Sequence, residues 1–198
     1  MKRIVIAGGI GAGKSAATEY LAIRGFPIID ADDVARAVTQ PGEPAWQAMR
    51  DAFGDAVLRN DQTIDRAFVA DLVFHDVSAL KRLNSITHGH IGIEIIRRIG
   101  ETTSDAVFIA LALFRPEHRS AFEVNEVWAV LASPDVALGR LVEHREFTED
   151  DARARLANQA TNEERVPLVD RVLWNDGTLE ELHAKVDAEL ARCGLVHG

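Results

Sequence analysis

Apolar residues along the chain follow two rhythms. Short unbroken apolar runs stand at residues 4–7, 26–29, within 105–114, at 127–131 and at 172–174. A strand covered on both faces reads as an unbroken run, whereas a half-exposed strand alternates, so residues 4–7 predict a buried strand of a parallel sheet and the other segments predict further strands. Between them the spacing is helical. Residues 14–24 predict a helix that Gly25 closes, and residues 34–39 a short one that Gln40-Pro41-Gly42-Glu43-Pro44 breaks. From 45 to 100 the pattern is helical throughout. Trp46, Met49 and Phe53 mark one helix ended by Gly54, and Phe68, Leu72 and Val73 a second after a turn at 60–65. Leu80, Leu83 and Ile86 mark a third, and Ile91, Ile95 and Ile99 a fourth. Pro134 opens a helix to about residue 144. Thr148, with Asp151 at the capping-box position, opens another to about 161, and residues 179–193 follow the turn Asn175-Asp176-Gly177 as the last.

Strands alternating with helices predict an α/β fold, an open parallel sheet flanked by helices on both faces. The helical stretch between the second and third strands is too long for a plain crossover. It reads as a helical substrate-binding insertion at 34–101 within one domain, whose core is 1–33 and 102–198. The 198-residue length suits a single domain with such an insertion.

Composition narrows the partners. The net charge of −9 argues against nucleic acid, which needs clustered Lys and Arg. The single cysteine, Cys193, fits a reducing compartment. No secretory signal and no run of about 18 apolar residues is visible, so no membrane span is expected and the protein reads as cytoplasmic. Oligomeric state stays open.

The chemistry concentrates at the first strand-to-helix turn. Gly8-Gly9-Ile10-Gly11-Ala12-Gly13-Lys14-Ser15 matches G-x-x-x-x-G-K-[ST] immediately after an apolar strand. Glycines let the backbone bend until its N–H groups point inward at phosphate oxygens. Lys14 then serves as a point charge on the β- and γ-phosphates, and the Ser15 hydroxyl as a ligand to Mg²⁺. The pattern predicts a P-loop NTPase-type sheet that binds a nucleoside triphosphate through Gly9, Gly11, Ala12, Gly13, Lys14, Ser15 and Ala16; it does not read the base, so ATP and GTP are alike to it.

Three weaker signals surround it. Asp30 and Asp32 stand at the end of the second strand, where ligands of open α/β sheets bind. Being two apart, only one of them is expected to face the loop; a carboxylate there accepts a proton, helps hold Mg²⁺, or simply caps the next helix. Arg140, Arg145, Arg153 and Arg155 lie at helix ends, with Arg145 between two helices where a lid at 144–162 would carry it over the nucleotide. Glu143, Glu146, Glu149, Asp150 and Asp151 crowd the same region, so a solvated charged surface competes with that reading. His88 and His90 lack the further ligands a metal site needs, which favours a helix-start or substrate-facing role.

In order, these residues resemble the dephospho-CoA kinase family. The resemblance rests on the glycine loop, Ile29-Asp30-Ala31-Asp32 followed by Ala35-Arg36, Pro41-Gly42, Phe53-Gly54, Ile64-Asp65-Arg66 before Val73-Phe74, then His88, Arg140, Arg145, Gln159 and residues 172–177. It implies transfer of the ATP γ-phosphate to the ribose 3′-hydroxyl of dephospho-CoA, a small-molecule acceptor. It also implies Asp32 as general base, Lys14 and Arg145 beside the transferring phosphate, and Arg140 and Asn175 near the base. Arg36, Arg66 and His88 would lie on the acceptor side. The chain departs from the family pattern at Ala7, Ala16 and Gly89. It departs most at Leu111-Ala112-Leu113-Phe114-Arg115, where the family has Pro-Leu-Leu-Phe-Glu. Arg115 replaces an acid by a cation that can pair with an anionic acceptor, or with Asp30 or Asp32, which keeps open a kinase of another small alcohol or a nucleotide-binding paralogue without this activity.

Overall fold

The unbroken apolar runs become one sheet. In the computed structural model, which describes residues 1–145 and 147–195 (the side chains of His144 and Arg145 excepted), five parallel strands take part. They are β1 (Lys2–Ala7), β2 (Ile28–Asp30), β3 (Ala106–Leu111), β4 (Glu126–Leu131) and β5 (Arg171–Trp174), in the order β2-β3-β1-β4-β5. The described helices are α1 (Lys14–Ile23), α2 (Ala31–Ala37), α3 (Pro44–Phe53), α4 (Arg66–His75), α5 (Val77–Glu101), α6 (Pro116–Ala121), α7 (Pro134–Arg145), α8 (Glu149–Ala157), α9 (Asn162–Arg165) and α10 (Leu179–Arg192). Among the described residues no helix is long and apolar enough to cross a membrane.

The chain forms two compact units, one made of Met1–Asp30 with the chain from Thr102 onward, the other of Ala31–Glu101. In the first, β3 is buried at every position, as its unbroken apolar sequence requires. Phe108 on β3 meets Phe26 edge-on at 5.3 Å and Trp128 at 5.5 Å. Ile4 and Ile6 of β1 share this core with Ala17 and Leu21 of α1 and Leu182, Val186 and Leu190 of α10. The last residue of β1, Ala7, pairs with Leu111 on one side and Ala129 on the other. The chain therefore leaves β1 where the strand order reverses, the position at which such sheets open a crevice for ligands.

The second unit is built on Trp46, Met49, Val57, Ile64 and Val69. The Trp46 indole N–H donates to the Gln62 carbonyl at 2.7 Å, which ties α3 to the turn at 60–65. Three expectations are corrected. Residues 77–101 form one helix where two were expected, because no proline interrupts them and internal glycines cost only about 1 kcal/mol each. His88 consequently lies inside α5 and starts no helix. On α4, capped by the Asp65 carboxylate, Val69 takes the buried place and Phe68 is 44% exposed. Finally, the helix from Thr148 ends at Ala157, and the Thr161–Glu164 capping box starts α9 separately.

Glu126 pins the start of β4 to the end of α10. It accepts from the Trp128 indole N–H at 3.0 Å and pairs with the Arg192 guanidinium. The Arg192 hydrogen bond is the main reason its pKa falls from 4.5 to about 2. A depressed carboxylate contributes stability that is full above its unfolded pKa and is lost as pH falls through the folded one. Glu126→Gln should therefore lower stability at pH 7 by about 1–2 kcal/mol, after discounting for the partly solvated pair. The gap to the wild type should narrow as pH drops below 4.5 towards 2, a trend that urea unfolding at several pH values would follow.

Candidate phosphate-binding site

The turn from β1 into α1 is held by its neighbours. Gly11 and Gly13 have φ of +75° and +97°, conformations that side chains resist. At Gly13 space adds a second reason, since a Cβ would lie 2.1 Å from the Asn175 amide nitrogen. That nitrogen donates to the Ala12 carbonyl at 2.9 Å, and Asn175 is itself buried. Arg140 reaches the Gly11 and Gly177 carbonyls from α7, each at 3.5 Å. With carbonyls turned outward to Asn175 and Arg140, the loop has the form of an anion-binding nest. α1 starts at Lys14 without a side-chain cap on its first amides, so the helix end adds its partial positive charge.

Lys14 is largely shielded, and its ammonium lies 3.7 Å from the Asp30 carboxylate at the end of β2. Of the two acids at that strand end, Asp30 thus meets the loop lysine. Asp32 is an exposed residue in the first turn of α2, in the second unit. The Ser15 side chain is exposed and makes no hydrogen bond among the described residues. Its hydroxyl and the nearby carboxylate are hard oxygen donors of the kind Mg²⁺ takes, so the residues present fit that ion. Ala16 packs against the core behind the loop.

Against the loop lies a cavity of about 240 Å³, lined by residues that include Gly9, Ile10, Ala137, Gln159 and Arg165. The Ile10 N–H donates to Gln159 Oε1 at 3.0 Å. Gln159 entered the sequence reading only as a point of resemblance, and Arg165 did not enter it. A glutamine beyond a helix end carries no pattern of its own; the one available signal was a charged residue next to Val166-Pro167-Leu168.

Of the residues expected on the acceptor side, Arg36, Arg66 and His88 belong to the second unit. The Arg66 guanidinium donates to Thr39 Oγ1 at 2.8 Å and to the Ala35 carbonyl at 3.5 Å. Burial of this head and the Arg36 cation lower its pKa, and the Asp32 carboxylate opposes them. Arg36 is paired with Asp33 at 2.6 Å. His88 is exposed on α5. Arg115 belongs to the first unit. Its N–H donates to His118 Nδ1 at 3.1 Å at the start of α6, and its exposed side chain makes no ion pair among the described residues. Arg145 ends α7, and its side chain lies outside the described residues.

Comparison with known proteins agrees with this geometry. A family model described as dephospho-CoA kinase matches residues 3–181. The chain is 38% identical to the dephospho-CoA kinase of Corynebacterium glutamicum, over 96% of each chain. It is 41% identical to that of Streptomyces avermitilis, over 94% of this chain and 91% of the relative. A crystal structure of a Thermus thermophilus protein superposes with a TM-score of 0.82 at 25% identity, covering 100% of this chain and 98% of the other.

Removing the brace beneath the loop should be visible without substrate. Asn175→Ala leaves the buried Ala12 carbonyl unpaired and is expected to cost about 1–3 kcal/mol in urea unfolding. Nucleotide affinity, measured by titration calorimetry, should fall with it.

Proposed function

The chain belongs to the dephospho-CoA kinase family, and we propose that it transfers the γ-phosphate of ATP to the ribose 3′-hydroxyl of dephospho-CoA, giving coenzyme A and ADP. The observation that carries this reading is the family match along residues 3–181, which includes a glycine loop whose Gly11 and Gly13 take positive φ. In the reaction the hydroxyl oxygen bonds to the γ-phosphorus while the bond from phosphorus to the β–γ bridging oxygen breaks. The hydroxyl proton goes to a carboxylate.

Asp32 is the base we assign, two residues beyond the strand-end Asp30. The amides of Gly9, Gly11, Ala12, Gly13, Lys14, Ser15 and Ala16 form the polyphosphate cradle, and Lys14 neutralises the charge that gathers during transfer. The Ser15 hydroxyl would hold magnesium, which when bound would supply charge neutralisation and alignment of the phosphates. Arg140 and Asn175 shape the loop and border the nucleotide. Arg145 serves as a second cation carried by a lid at 144–162. Arg36, Arg66 and His88 hold the acceptor, whose phosphates match a cluster of guanidinium groups. A metabolic phosphotransferase of this kind, with no membrane-spanning helix described, fits the cytoplasm.

One observation favours a second reading. Arg115, exposed and free of ion pairs among the described residues, stands where the family pattern has an acid. A kinase acting on a different anionic alcohol would use that cation directly.

Purified chain incubated with ATP, Mg²⁺ and dephospho-CoA should form coenzyme A, followed by chromatography of the product. No product, beside transfer to another alcohol, would support the second reading. Asp32→Asn should lower kcat by about 100-fold or more while leaving the ATP Kd within about twofold. Near-normal turnover in that variant would remove Asp32 from the base role.

A further inference from the structure

One charged group at the loop has no part in this scheme. Arg165, the last residue of α9, is 9% exposed and makes no ion pair among the described residues. Its neighbour Glu164 spends its carboxylate on the Thr161 N–H at 2.8 Å. The Arg165 Nε donates to the Ala160 carbonyl at 3.0 Å, and Nη2 reaches Gln159 Oε1 at 3.4 Å. Burial lowers its pKa, yet a guanidinium keeps its proton at any working pH. The Glu164 carboxylate offsets this only in part and from a distance, and a buried cation with no direct ion pair is costly, so an apolar residue of similar size would be tolerated better. The chain carries this cost beside the loop that gathers N–H donors for phosphate.

Gln159 Oε1 marks where these donors converge. It accepts from the Ile10 N–H at 3.0 Å and from Arg165 Nη2 at 3.4 Å. An oxygen at this point meets one loop amide and one guanidinium, the combination a phosphate oxygen takes. Gly9 keeps the approach close, since a Cβ there would lie 3.0 Å from the same oxygen and 3.6 Å from Arg165 Nη2.

We infer that the Ile10 N–H and the Arg165 guanidinium form a seat for an oxygen of the terminal phosphate of a nucleoside triphosphate, and that Gln159 Oε1 fills this seat while the phosphate is absent. Binding then exchanges a neutral amide oxygen for a charged one beside the same cation. The diphosphate product lacks the group that occupies the seat, so Gln159 returns to it as transfer completes. This inference rests on the reading of the loop as a triphosphate site.

Calorimetric titration of wild type, Arg165→Met, Arg165→Lys and Gln159→Leu with Mg-ATP and with Mg-ADP tests it, alongside thermal unfolding without nucleotide. Arg165→Met should weaken ATP by about tenfold or more and ADP by less than about twofold. Its nucleotide-free melting temperature should equal or exceed that of the wild type. Arg165→Lys, which keeps the charge, should lose only part of the ATP-over-ADP preference. Gln159→Leu, with no oxygen to displace, should bind ATP more tightly than the wild type. Equal weakening of ATP and ADP in the arginine variants, a lowered melting temperature in Arg165→Met, or weaker ATP binding in Gln159→Leu would overturn the inference. If the wild type binds neither nucleotide, the triphosphate reading itself fails, an outcome distinct from wild-type binding with unchanged preference in the variants.

Discussion

The bond between the buried Asn175 amide and the Ala12 carbonyl governs the chemistry of the first unit. A peptide that turns its carbonyl outward must turn the flanking N–H groups inward, and a loop with inward amides collapses unless something holds its carbonyls. Asn175 supplies that hold because β5 delivers it there: Trp174 pairs with Leu131 in the sheet, and the Asn175 N–H continues the ladder to the Leu131 carbonyl at 2.7 Å. Phosphate-binding geometry thus depends on the edge strand most distant in sequence. It also forces glycine at position 13, where both the left-handed backbone and the Asn175 nitrogen exclude a side chain.

Much of this unit is legible in the amino-acid sequence. The central strands β1, β3 and β4 were readable because burial on both faces leaves almost no polar position to blur the run, while the edge strands β2 and β5 are only partly buried; the loop was readable because its glycines answer a backbone requirement that few other sequences meet. The helical insertion was legible in kind but less so in division. Leu80, Leu83 and Ile86 on one side and Ile91, Ile95 and Ile99 on the other read as two helices, yet α5 runs on between them through Gly89 and Gly92. Packing against α2, α3 and α4 outweighs the local cost of two glycines. The short helices α6 and α9 escaped notice for a similar reason: a four- to six-residue helix has no period to display.

The site itself was legible where chemistry is written in adjacent residues and illegible where it is assembled across the fold. Lys14 and Ser15 follow from a contiguous motif. The pairing of Lys14 with Asp30 required knowing where β2 ends, because a shift of one residue along a strand reverses the face a side chain takes. Gln159 and Arg165 lie about 150 residues from Gly9 and Ile10, and only the packing of α8 and α9 beside the loop brings them to it.

An acidic chain that binds a polyanion presents an apparent contradiction, which distance resolves. The net charge of −9 is spread over the surface of 198 residues, and at physiological salt its field decays over about 8 Å. Donors within hydrogen-bond reach of a phosphate act inside that length, in surroundings where burial weakens screening further. Near the loop the candidate donors are the backbone amides and Lys14, and two of the carboxylates close by are already engaged. Asp30 is spent on Lys14, and Glu164 on the α9 cap. Phosphate affinity in such a protein is therefore set by which nearby acids are occupied, and hardly at all by the sum of charges.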